Sequence, residues 1–152
     1  GLRQWQTAYS LVGWGSRCQT SATMRSEPEP AEPPTNTGPV RRFLAPGYQP
    51  QAETLGELRD RIDSLDEQIV ALLAQRALCV RDATRFKRDA FQVAAPERQA
   101  AVFARVHRLA AAQAGDFSGL PEVVESTYRT LVAGFVACEG QFFEATEPLS
   151  SP

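Results

Sequence analysis

Three charged residues stand at positions that the surrounding pattern reserves for apolar ones, and they limit the chemistry open to this chain. Arg76 continues an apolar rhythm that runs through Leu55, Leu58, Ile62, Leu65, Ile69 and Leu72. Glu139 continues a second rhythm, through Val124, Tyr128, Leu131, Val132 and Phe135. Lys87 lies 11 residues after Arg76, a rotation of about 20° on a straight helix, so both cations look along one face into the same interior. A buried carboxylate is costly unless it is paired or protonated. Any one of these residues alone is as well explained by a core ion pair, Glu139 with Arg76 or Lys87. Several cations against one carboxylate leave net positive charge inside, and that excess calls for an anionic ligand.

Other reactive groups suggest nothing comparable. His107 is the single histidine and cannot build a His-rich metal centre, so it reads as solvated or lightly packed. Cys79 and Cys138 have no histidine nearby in sequence to activate them and read as small buried hydrophobes. No Gly-rich phosphate loop, nucleophile elbow or metal motif is present, so neither metal nor cofactor is expected.

The elements that must position the charges are helical. Thr54-Leu55-Gly56-Glu57 has the form of a capping box, in which Thr54 and Glu57 satisfy each other's backbone donors. From there the apolar spacing alternates threes and fours and carries on through Arg76, Cys79, Ala83 and Phe86. This predicts a heptad helix over about residues 55–89, or ~50 Å. Pro96 and Pro121 are the only prolines in residues 54–147, and each stands where a helix can start without its missing N–H being felt. Two further helices are predicted, at about 96–114 and 121–146. One helix of the first kind is too long to be covered by two shorter ones, which predicts a homodimer. Arg59 lies about 100° around the helix from Arg76, so the two do not easily share a pocket within one chain. In an intertwined dimer Arg59 reaches the partner's pocket. Asp60, Arg61, Asp63, Asp66 and Glu67 form the solvated face.

The totals agree with one small domain and a tail. The chain has 152 residues, with 16 basic and 18 acidic, a balance that sets up no field for nucleic acid or membranes. No stretch approaches the ~20 apolar residues that span a bilayer. Three scattered cysteines argue against a disulfide framework and for a reducing compartment such as the cytoplasm. Residues 1–53 read as a leader: seven of the 11 prolines fall between Pro28 and Pro50, in a segment with too little apolar surface to offset its ordering entropy. Residues 1–23 carry no acidic residue, and the composition changes at Met24, the only methionine. That stretch is expected to be non-native, the product of an upstream start. The helical domain is expected over 54–147, with 148–152 as a tail.

The motifs on these helices resemble a known family. Leu58-Arg59-x-x-Ile62-Asp63-x-Leu65-Asp66, Leu72-Leu73-Ala74-Gln75-Arg76, Lys87, Pro96-Glu97-Arg98 and the late Glu139 are similar to the all-helical (AroQ-type) chorismate mutases, over about residues 54–146. The resemblance implies an all-α, intertwined homodimer of three-helix chains with two equivalent sites. Arg76, Lys87, Arg98 and Glu139 would come from one chain and Arg59 from the other. It implies a pericyclic rearrangement of chorismate to prephenate, in which Arg76 and the partner's Arg59 take the carboxylates and Arg98 closes the site. Lys87 and a protonated Glu139 would then donate to the ether oxygen. Arg85-Phe86-Lys87 and Ala95-Pro96-Glu97-Arg98 also look similar to isochorismate pyruvate-lyase and to the mutases of 4-amino-4-deoxychorismate. The typical mutase has an acid three residues before the Arg98 position and a Glu just after it, near the ring hydroxyl. Here Ala95 and Gln99 stand there, with Gln99 a substrate-binding candidate. The lyase carries Gln where this chain has Glu139, which favours the mutase. A helical dimerisation or ligand-binding module without turnover is the reading from another class.

Overall fold

The computed structural model describes residues 40–148. The expected non-native stretch 1–23 and most of the expected leader lie outside the described residues. The chain divides at Pro50 into two units. Of the first, residues 40–50 form an exposed segment with a turn in which Tyr48 N–H donates to Ala45 O, and Phe43 meets Tyr48 edge to face at 5.0 Å.

The second unit is built from helices, with no strand among the described residues. Helix α1 spans Leu55–Ala83. The capping box forms as its sequence predicts: Glu57 N–H donates to Thr54 Oγ1, and the Glu57 carboxylate accepts from Thr54 N–H. The helix stops six residues earlier than the periodicity suggests. At Thr84, 1% exposed, the side-chain hydroxyl turns back on Val80 O, and the backbone tightens into a 3-10 turn over Thr84–Phe86. Lys87 is extended. Asp89 then caps a short helix α2, Ala90–Ala94, by accepting from Gln92 N–H at 2.8 Å. Ala95 takes a left-handed conformation (φ 44°), which closes α2 and redirects the chain into α3, Pro96–Gln113. A β-carbon in that region costs about 1–2 kcal/mol, so the surrounding packing must hold it. Helix α4, Leu120–Glu144, starts with Pro121 in its first turn.

The core lies where α2, α3 and α4 meet. Val93, Val106, Ala110, Val132 and Val136 are buried there, and α4 runs back along α3 as the second arm of a hairpin. Helix α1 is different, for none of its residues is buried. Leu58 apart, its half-buried residues are Leu73, Arg76, Ala77 and Val80, towards the end that meets α4. Ile62, Leu65, Ile69 and Leu72, all on the predicted seam, remain more than half exposed.

Candidate functional site

The end of α1, the turn after it and the late part of α4 bring Arg76, Lys87 and Glu139 together. Glu139 is 8% exposed. Burial raises its carboxyl above the ordinary value, and the opposing pull of Lys87 and then Arg76 is smaller. Neither cation forms an ion pair with it: among the described residues the ion pairs are Arg81–Asp82, His107–Glu125 and Arg129–Glu125. The arrangement is therefore not the core ion pair that would neutralise these charges for stability alone. Lys87 arrives by a different route from the predicted one. Straight-helix geometry does not apply beyond Ala83, and the 3-10 turn with the extended Lys87 backbone takes the side chain to the field of Glu139.

Arg76 lies against aromatic rings of α4. Its guanidinium carbon is 5.1 Å from the Phe135 ring centroid and 5.9 Å from that of Tyr128. Its Nη1 is buried and has no hydrogen-bond acceptor. A buried guanidinium N–H without an acceptor is expensive. It is the kind of group that an anionic ligand relieves.

Lys87 also lines a cavity of about 320 Å³ between the turn and the start of α3, with Phe86, Phe91, Pro96 and Arg98. Arg98 is thus brought to the same side as Lys87. Arg59 is not brought to this site. It sits on α1 with Arg76, 17 residues earlier, and at 1.5 Å per residue the two lie about 26 Å apart along the axis. The separation is a stronger obstacle than the angle around the helix. Gln99 also lies elsewhere: its amide donates to Ala94 O at 2.6 Å, and its side chain lines a separate groove of about 610 Å³ between α3 and α4. Gln99 and Lys87 therefore line different recesses of the chain. The carbonyl that accepts from the Gln99 amide stands at the end of α2.

His107, in that groove, is paired and not merely solvated, with Nδ1 3.0 Å from Glu125 Oε2. Arg129 binds the other Glu125 oxygen and, with His107, holds that carboxyl below its usual range. Cys79 is an exposed free thiol and not the buried hydrophobe expected, whereas Cys138 is half-buried on α4. Among the described residues no group of three His, Cys, Asp or Glu side chains is placed to hold a metal, and no helix is long and apolar enough to cross a membrane.

The reading from sequence missed the part that Tyr128 and Phe135 play. Both were visible as members of the α4 stripe, seven residues apart. What was not visible is that both rings meet the Arg76 guanidinium.

No curated protein matches the chain. The family model described as chorismate mutase type II matches residues 58–140, more than half of the chain and most of all three long helices. With an all-helical unit that collects Arg76, Lys87 and Glu139 at one end, the chain belongs to the chorismate mutase type II family.

Proposed function

We propose that this protein is a chorismate mutase, converting chorismate to prephenate as a homodimer. The observation that carries this reading is the unpaired cluster at the end of α1. A buried Glu139 whose carboxyl is raised lies in the field of Lys87 and Arg76, and Arg76 Nη1 is buried without an acceptor. Such a site is short of negative charge and supplies both a proton donor and a cation.

A pericyclic rearrangement asks for those two things. The flexible dicarboxylate must be held folded, an entropic task that Arg forks on carboxylates perform well. Arg76 takes one carboxylate, and Arg98 closes the cavity over the substrate. As the ether C–O bond breaks, negative charge grows on the enolpyruvyl oxygen. Lys87 and protonated Glu139 donate to that oxygen, fixed in place before charge develops. No nucleophile or covalent intermediate is involved.

The second carboxylate falls to Arg59 of a second copy. Two features support the dimer. Helix α1 is 29 residues long, about 43 Å, and buries none of its residues within the chain. Its uncovered side chains are the heptad positions Leu55, Ile62, Leu65, Ile69 and Leu72, between 52% and 63% exposed, which is the seam a second α1 would cover. Arg59 cannot reach Arg76's site along its own helix, and a partner helix running past in the opposite direction offers it to that site.

The test is product identification. The purified protein is incubated separately with chorismate, isochorismate and 4-amino-4-deoxychorismate, and products are identified by mass. Prephenate from chorismate is the expected result. Pyruvate released from isochorismate would replace the mutase with the lyase. Turnover of the amino compound alone would move the activity to that substrate, and no turnover of any would leave a binding or dimerisation module.

A further inference from the structure

We propose that Tyr128 and Phe135 form an aromatic cradle that positions the Arg76 guanidinium for a substrate carboxylate. This inference rests on the reading that Arg76 binds such a carboxylate.

The two rings stand seven residues apart on α4, two helical turns or about 10.5 Å, and nearly in line along one stripe. The Arg76 guanidinium carbon is within 6 Å of both centroids, at 5.1 Å from Phe135 and 5.9 Å from Tyr128, the range over which a ring face attracts a cation. Glu139, four residues beyond Phe135, continues the stripe, so the cradle and the buried acid share one side of one helix.

The choice of aromatic holders has a chemical consequence. A carboxylate would fix Arg76 equally well, but it would occupy the planar fork and neutralise its charge. Ring faces attract the cation through their quadrupole and accept little from its N–H edge. The fork then keeps both its charge and its donors, as the acceptor-free Nη1 reflects. Glu139, whose carboxyl burial shifts upward, does not form an ion pair with Arg76. Tyr128 and Phe135 touch Arg76 and are positioning residues, not catalytic ones.

The experiment uses the full chain and steady-state kinetics with chorismate. For Phe135→Leu, which removes the ring but keeps an apolar side chain, KM is expected to rise about tenfold, equivalent to about 1.4 kcal/mol, with kcat little changed. Tyr128→Leu is expected to raise KM in the same sense but less, because its ring is farther away. Tyr128→Phe keeps the ring face and should restore KM. The decisive readout is a double-mutant cycle. With Arg76→Lys in place the fork is gone, and Phe135→Leu should add far less than its tenfold effect. If Phe135→Leu raises KM equally in both backgrounds, its role is merely structural and the cradle is refuted. Unchanged KM in both leucine variants, with unaltered unfolding temperatures, refutes it as well. Should Phe135→Leu fail to fold, Tyr128→Leu at its half-buried site carries the same cycle. A wild-type protein that turns over no chorismate-type substrate would sink the mutase reading and this inference with it. An active wild type with insensitive variants would sink the cradle alone.

Discussion

Replacing Ile69 by alanine tests whether two α1 helices pair through the heptad seam. Ile69 is 52% exposed in the single chain. Full burial of an isoleucine side chain contributes about 1.5–3 kcal/mol, so the uncovered half leaves about 1 kcal/mol for a partner to gain. A twofold interface contains the position twice, and the dimer should lose about 2 kcal/mol, or about 30-fold in Kd. Sedimentation velocity over a dilution series reads that shift directly. If the proposed sharing of Arg59 between chains holds, turnover measured at the same concentrations falls in step with the dimer fraction. Ile69→Asp places two carboxylates in an apolar seam and should give a monomer without activity. An unchanged Kd in Ile69→Ala would show that this face is not the interface. A monomeric Ile69→Asp with full kcat/KM would end the shared-site argument altogether.

Four other outcomes follow from the proposed site. The carboxyl of Glu139 is raised by burial, so its proton is held below that raised value and lost as pH climbs through it. Mutase activity should therefore decline with rising pH, while Glu139→Gln stays active with a flatter profile; an inactive, properly folded Gln variant would contradict the donor role. The same linkage applies to stability: as pH rises from the ordinary carboxyl value to the raised one, only the unfolded chain gives up this proton, so wild type should lose stability over that window and Glu139→Gln should not, which denaturant unfolding at several pH values would measure. Mixing Arg59→Ala with Arg76→Ala should regenerate one intact site per heterodimer and restore part of the activity that each variant lacks alone. Lys87→Ala should lower kcat by about 10²–10³ with a smaller change in KM, since in the proposed mechanism its bond to the ether oxygen strengthens as charge develops; a pure KM effect would make it a binding residue.

The set of misplaced charges, Arg76, Lys87 and Glu139, was legible from spacing, but its arrangement was not. Arg76 and Glu139 stood out because each interrupts an apolar stripe, and a stripe is a local property of one helix. The starts of α3 and α4 were legible for the same reason, marked by Pro96 and Pro121. The end of α1 was not, because no Gly or Pro interrupts residues 84–95 and the apolar rhythm runs on through Phe86. The stop coincides with the burial of Thr84 in the turn that packs on α4, and the exposed Asp89 cap then starts α2.

The sequence by itself determined the helical class, the two apolar stripes and the identity of the misplaced charges, since side-chain type and a 3.6-residue period are sufficient for those. Tertiary structure alone decided how the charges behave. Whether burial or nearby cations dominates at Glu139 depends on how much water the packed helices exclude and on the distances to Lys87 and Arg76. The aromatic surroundings of Arg76 and the diversion of Gln99 to the Ala94 carbonyl were settled in the same way, by contacts between segments distant or differently turned in the chain. Desolvation and contact are properties of three-dimensional neighbours, and periodicity along one helix carries no record of them.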